Sequence, residues 1–388
     1  MSARGREPEP PPLVEIAREW GRLGCVGFGG PPAHIALLRE LCVQRRRWLT
    51  SVQFERALAA TNLLPGPAST QLAIYCAWTL RGTRGALIGG LGFILPGLVL
   101  ILALSALFLA GSPPTWLRAA GIGAGAAVPA VAVSAGLGIA APIWRGIAGS
   151  ARTRALAYGL AGAGVAALTA RWLVLVLLAC GTFELTARGG WARATAAMQT
   201  GWTLAAATAS GGTLALAWTA FKVGALAFGG GFVIVPLMQA DAVDTYHWMT
   251  RSQFLNAVAL GQVTPGPVTH TVAAVGYAAG GFAGALLAAL VAFAPSFSFV
   301  LLGAARFESL LTDERIRAFL AGAAPCAAGA ILGSAVPLAA ALGEGWEIAL
   351  LAASALALLV LRRGVVPTLL LAGMLGALAG VLGAPLGG

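Results

Sequence analysis

One pattern of residues occurs twice in this chain, about 200 positions apart, and no other feature limits the fold so tightly. Gly24, Phe28-Gly29-Gly30, Leu37, Trp48, Thr50, Gln53-Phe54, Ala57, Ala59 and Pro65-Gly66-Pro67 return as Gly224, Phe228-Gly229-Gly230, Leu237, Trp248, Thr250, Gln253-Phe254, Ala257, Ala259 and Pro265-Gly266-Pro267. One dropped residue then aligns Gly82, Gly85-Ala86-Leu87 and Pro96 with Gly281, Gly284-Ala285-Leu286 and Pro295. Each copy must therefore fold alike. Duplicated apolar helices interrupted by Gly and Pro are the pattern of secondary transporters, whose binding sites lie where the repeats meet.

The solvent of this chain is lipid. Of 388 residues, 58% are hydrophobic and 10% charged, with a mean hydropathy of +0.84; long apolar runs at 85–111, 119–143, 155–170, 172–183, 318–342, 346–361 and 365–386 mostly read as membrane spans. Several are short, which predicts tilted or broken helices. Lipid excludes open sheets, and no ten-residue alternating strands of a barrel are present, so the expected fold is an all-α polytopic membrane protein. The expected division is a cytoplasmic tail at 1–12, a first repeat at 13–193, a connecting segment at 194–212 that supplies a crossing, and a second repeat at 213–388.

The net charge of +11 is spread in short groups between spans, which makes it a topology signal and argues against nucleic acid as a partner. Cys25, Cys42, Cys76, Cys180 and Cys326 are scattered without CxxC spacing, so neither a disulfide framework nor a metal site is expected. No cofactor motif is present. The N-terminus has no apolar leader core.

Charges at equivalent places differ between the copies. Arg39, Arg45, Arg46 and Arg47 in the first correspond to a stretch with Asp241, Asp244 and His247 in the second, and Arg81 and Arg84 correspond to Gly280 and Ala283. Positive residues stay in the cytoplasm, so the copies are expected to be inverted, in the cytoplasmic membrane with the N-terminus on its cytoplasmic side. Arg118 and Arg171 fit that assignment less well.

Between Trp48 and Arg81, two pieces too short to cross are joined by Pro65-Gly66-Pro67; they predict a re-entrant hairpin with its tip at the midplane. The segments around Gly29-Gly30 predict a second. The helix after each tip starts with unpaired N–H groups and small polar side chains, Ser69, Thr70 and Gln71 in one copy and Thr269, His270 and Thr271 in the other, which suits an anion. One such motif could merely kink a helix; its recurrence with polar followers argues for function. Phe28-Gly29-Gly30 and Phe228-Gly229-Gly230 allow close backbone approach. Arg22 and Lys222, each six residues before the Phe, would supply two positive charges to a dianion, with snorkelling as the alternative. His34 and His270 are further titratable candidates.

The runs GFGGPPAHIALLRELCVQRRRW, LLPGPASTQLAIY, FKVGALAFGGGFVIVPLM and QVTPGPVTH resemble the chromate ion transporter family in its long, duplicated form, over nearly the whole chain. The resemblance implies export of chromate, with sulfate as a related tetrahedral dianion, and chromate resistance. It maps the family motifs onto Phe28, Gly29, Gly30, His34, Arg39, Pro65, Gly66 and Pro67. Thr61-Asn62 departs from the Cys-Gln-like pair expected before the PGP. A homodimer is left open as the assembly. The competing class is an enzyme acting on a lipid phosphate, undecaprenyl-pyrophosphate phosphatase-like, which also uses inverted repeats; neither a Glu-x-x-x-Glu pair nor a Ser-Arg-Ser cluster, which such chemistry needs near the phosphate, follows the PGP.

Overall fold

The computed structural model describes residues 10–109, 113–188, 212–227, 232–304 and 313–386. The connecting segment predicted at 194–212 lies outside these ranges except for Gly212, as do Phe228, Gly229 and Gly230. Among the described residues the structure is helical, without strands, and five helices are long and apolar enough to cross a membrane.

The first copy opens with two hairpins, each folded back on itself. Helix α1 (Leu13–Val26) runs inward for about 21 Å at 1.5 Å per residue, too short to cross. The chain then reverses at Gly29, whose φ of 101° favours glycine, and returns as α2 (Gly30–Arg39), which continues as a π-helical turn at Glu40–Arg45. The open ends meet in ion pairs. Glu19 bonds Arg45 and Arg46, the latter at 2.5 Å, and Arg46 also reaches Glu15 at 3.0 Å. The second hairpin is α3 (Ser51–Leu63), the Leu64–Pro67 tip and the first part of α4 (Ala68–Leu109). A reciprocal capping box of Thr50 and Gln53 starts α3.

Helix α4 is two helices. At Arg81 and Gly82 the backbone leaves helical geometry, Gly82 with φ of 57°, and the chain turns back so closely that a Cβ on Gly85 would lie 2.2 Å from the Ala77 carbonyl oxygen. Arg81 fixes this turn to the chain start by donating to the carbonyls of Pro10 and Pro11, both at 2.8 Å. Both re-entrant hairpins predicted from the sequence are present.

The second copy repeats the first. It comprises α9 (Gly212–Leu226), α10 (Ile234–Gln239) with a π-helical turn at Ala240–Thr245, α11 (Arg251–Val263) capped by Thr250 and Gln253, a PGP tip, a 3-10 turn at Val268–His270, and α12 (Thr271–Gly303) broken at Gly280 and Gly281. The limbs after the breaks in α4 and α12 are equivalent, and they pack against each other in opposite directions. Gly90 lies against Phe297, while Ala86 clusters with Val300 and Ala304, so numbering rises along one limb as it falls along the other. Equivalent helices running antiparallel are what inverted copies require.

The remaining helices surround this centre. They are α5 (Thr115–Ala126), α6 (Val128–Arg145), α7 (Ser150–Thr169), α8 (Leu173–Ala187), α13 (Glu314–Ala339), α14 (Gly345–Ala355) and α15 (Val365–Val381). The run at 119–143, expected as one span, lies within one apolar stretch long enough to cross, Thr115–Arg145, interrupted for a single residue at Ala127 ahead of Pro129, which cannot donate into the preceding turn. Helices α7 and α8 form a hairpin closed by Glu184, which accepts from Arg154 and Arg188 at 2.8 Å each and from Tyr158 at 2.9 Å. That leaves Arg171 at the opposite end, the misfit noted in the charges. In lipid, tight backbone packing replaces the hydrophobic drive: α7 meets α13 where a Cβ on Gly329 would lie 1.9 Å from the Gly159 oxygen.

Candidate functional site

The tips of the two copies grip each other. The Gly266 amide donates to the Gly27 carbonyl at 2.8 Å, and Gly66 sits so close to the second copy that a Cβ there would be 3.0 Å from the Gly224 oxygen. Both tip glycines have positive φ, 116° and 88°. Gly97 completes the seal on the second tip, where an added Cβ would strike the Pro265 oxygen at 2.1 Å. Irregular backbone at this depth is thus paired and packed by protein.

The first tip is not sealed in this way. Beside it opens a cavity of about 610 Å³, bounded by the start of α2 at Gly29 and Gly30, the tip residues Asn62 to Ala68, helix α6 from Ser134 to Ile143, and Phe232 and Gln262 of the second copy. Two helix starts therefore reach it, at Gly30 and at Ala68. Their donor supply is limited: Pro31 and Pro32 have no N–H, and the Thr70 and Gln71 amides bond the Pro67 carbonyl. Each helix start stabilises an anion by about 0.3–1 kcal/mol, more where partly buried. Among the described residues the lining has no ionisable side chain; its polar groups are Asn62, Ser134 and Gln262.

Several of the residues singled out in the sequence stand behind the tip and build it. His34 is buried, its Nε2 2.8 Å from the Gly27 carbonyl and its Nδ1 3.2 Å from the Ser69 hydroxyl. A carbonyl only accepts, so Nε2 carries the proton and Ser69 donates to Nδ1 of the neutral ring. Gln71 donates from Nε2 to the Pro65 carbonyl at 2.6 Å, closing the tip. Thr70, Thr269 and His270 are fully or almost fully buried, and His270 meets Phe293 edge-on as His34 meets Phe93. Pro67 and Pro267 precede the helix starts. Gly30, Gly66 and Gly29 face the cavity, whereas Phe28 is 42% exposed.

Neither Arg22 nor Lys222, the two cations weighed as charges for a dianion, lines this cavity. Arg22 is exposed and borders a separate cleft with Arg18, Glu19, Arg45 and Arg46, at the charged base of the first hairpin. There the Glu19 carboxylate, by hydrogen bond, holds the Arg46 guanidinium above its ordinary pKa. Lys222 pairs with Asp241 at 2.5 Å, and the Thr219 hydroxyl donates to the same carboxylate at 2.6 Å. Its charge is neutralised within the second copy. The hairpin fold causes this, because it returns residue 241 to the height of residue 222.

The sequence analysis met Asn62 only as a departure from the expected motif and did not single out Gln262, although both line the cavity. The signal was available: both are side-chain amides three positions before the first proline of a PGP, at the same place in each repeat.

Inverted copies, paired re-entrant hairpins and a cavity where the copies meet define an inverted-repeat membrane transporter. The family model described as "Chromate transporter" matches twice, over residues 14–185 and 214–381, and the chain belongs to that family. A chromate transport protein of Cupriavidus metallidurans is 32% identical over 96% of this chain and 94% of its own length. One from Pseudomonas aeruginosa is 33% identical over 86% and 83%, and a probable chromate transport protein of Synechococcus elongatus is 29% identical over 84% of each. These relatives are transporters, not enzymes. No solved structure matches the chain significantly.

Proposed function

We propose that this chain is a secondary transporter that exports chromate across the cytoplasmic membrane, with its N-terminus in the cytoplasm, and so confers chromate resistance. The observation that carries this reading is the convergence of two half-helix starts, at Gly30 and Ala68, on one cavity without a carboxylate in its described lining. The family and the named relatives supply the substrate class. Sulfate, a tetrahedral dianion of like charge, is the expected competitor.

Export has a physical driver. One charge moving through 100 mV is worth about 2.3 kcal/mol, so two charges leaving an inside-negative cell gain about 4.6 kcal/mol, over a thousandfold in gradient. A cavity that holds a dianion by dipoles instead of full charges binds it weakly and releases it readily, which suits a carrier run by potential. Lys222 and Arg22 then act on topology and on the hairpin bases, and not as direct ligands.

The test is chromate uptake into everted vesicles with the potential imposed separately from the pH gradient. Saturable, sulfate-inhibited uptake that follows the potential is expected. Uptake unchanged when the potential is collapsed at constant pH gradient would overturn potential-driven export, and no uptake above empty vesicles would overturn chromate as substrate.

A further inference from the structure

Gln262 is unusual among the cavity's residues. It is only 7% exposed, lines the cavity, and its Nε2 has no hydrogen-bond partner among the described residues. A buried amide donor left unmade is costly, and natural structures rarely leave one without a use. Asn62, its equivalent in the first repeat, lines the same cavity from the other hairpin. Two amides from inverted copies thus flank a space that two helix starts also reach.

We propose that Gln262 and Asn62 form a neutral amide clamp for a tetrahedral oxyanion, the specificity-determining contact of the transport site; this rests on the transport reading above. Each amide presents N–H donors and no charge. Phosphate, sulfate and chromate oxygens accept such bonds, and a charged acceptor strengthens them. The clamp explains how the site can hold a dianion although its described lining contains no cation and two of the α2 first-turn positions are prolines. As placed, Nε2 has almost no accessible surface, so the Gln262 amide must turn to present its N–H donors to the cavity, a turn that no bond to either amide atom among the described residues opposes. The two positions differ in burial, Gln262 enclosed and Asn62 exposed, so Gln262 is the stronger contact.

The experiment is equilibrium dialysis of the purified full-length protein against radiolabelled chromate and, separately, sulfate, beside thermal melts of the empty protein. Gln262→Met, which keeps the volume and removes the amide, is expected to weaken binding of both oxyanions about tenfold or more, the weight of one hydrogen bond to a charged partner. Its melting temperature should hold or rise, because a purely structural amide would lower it on removal. Gln262→Asn should retain part of the binding, Asn62→Leu should weaken it by a smaller factor, and Ser105→Ala, which removes a buried hydroxyl elsewhere, should leave it unchanged. Wild-type affinity in both Gln262→Met and Asn62→Leu would overturn the clamp and leave chromate transport standing. Wild-type protein that binds sulfate but not chromate, with the loss in Gln262→Met intact, would overturn the substrate and leave the clamp. Folded wild-type protein that binds neither oxyanion would overturn both.

Discussion

The base of the first hairpin and the base of its counterpart share one backbone and carry opposite electrostatics. Each has a π-helical turn, Glu40–Arg45 and Ala240–Thr245, then a non-glycine residue in the left-handed region, Arg47 at φ 54° and His247 at φ 52°, then a tryptophan and a Thr-Gln capping box. On this frame the first copy builds an open cluster of Glu15, Glu19, Arg45 and Arg46, half-exposed at its basic end. The second builds an enclosed pair, Lys222 with Asp241, supported by Thr219 in place of Glu19. The fold is set by glycines, prolines and caps; the charges decide which way each copy faces. They can be exchanged without touching the frame because they sit at its ends.

Breaking the enclosed pair should have the largest effect. Asp241→Ala leaves a largely buried ammonium without its carboxylate and should cost about 3–5 kcal/mol, read as a fall in melting temperature, while Lys222→Met with Asp241→Leu should recover most of it. If the double variant is stable yet transports nothing, the pair has a role in the cycle as well as in folding. Next comes packing. Gly224→Ala would drive a methyl to 2.0 Å from the Ala292 oxygen, against 2.7 Å between Gly24→Ala and the Gly92 oxygen. Overpacking of about 1–3 kcal/mol is expected at Gly224 and less at Gly24, and a reversed order in detergent melts would contradict the tighter seating of the second copy.

The caps sharpen the likeness. Thr50→Ala and Thr250→Ala remove the same bond, 3.2 Å from the Gln amide in both copies, so each should cost about 1 kcal/mol and the two losses should agree. The smallest effect belongs to the first copy's exposed pair of Arg39 and Glu55, where Glu55→Gln should change stability by less than about 1 kcal/mol and lose even that in high salt.

Much of this architecture could be read from the residues. The repeated PGP and FGG motifs located both hairpin reversals of the first copy, because glycine and proline act locally and keep their meaning in lipid. The asymmetry of Arg39 to Arg47 against Asp241 to His247 gave the inversion, which the antiparallel limbs at Gly90 and Phe297 display directly. What escaped depends on distance. Lys222 and Asp241 are 19 residues apart in sequence and meet only because a hairpin returns the chain, so the sequence alone did not show that Lys222 has an acidic partner. Gln262 was hidden for another reason: an amide at a helix end has many ordinary uses, and its unpartnered nitrogen becomes visible only once its neighbours are known.

The interlocked tips bear on the order of synthesis. From Leu13 to Arg81 the chain makes four limbs, none long enough to span, and returns twice to the side it left. Their reversals have no complete wall until residues 224 to 297 have been made, because Gly66 is packed on Gly224, Gly90 on Phe297, and Gly27 receives the amide of Gly266. The first copy leaves the ribosome with midplane backbone that only the second can cover, so the finished centre assembles after most of the chain is in the membrane, and the two copies mature as one folding unit.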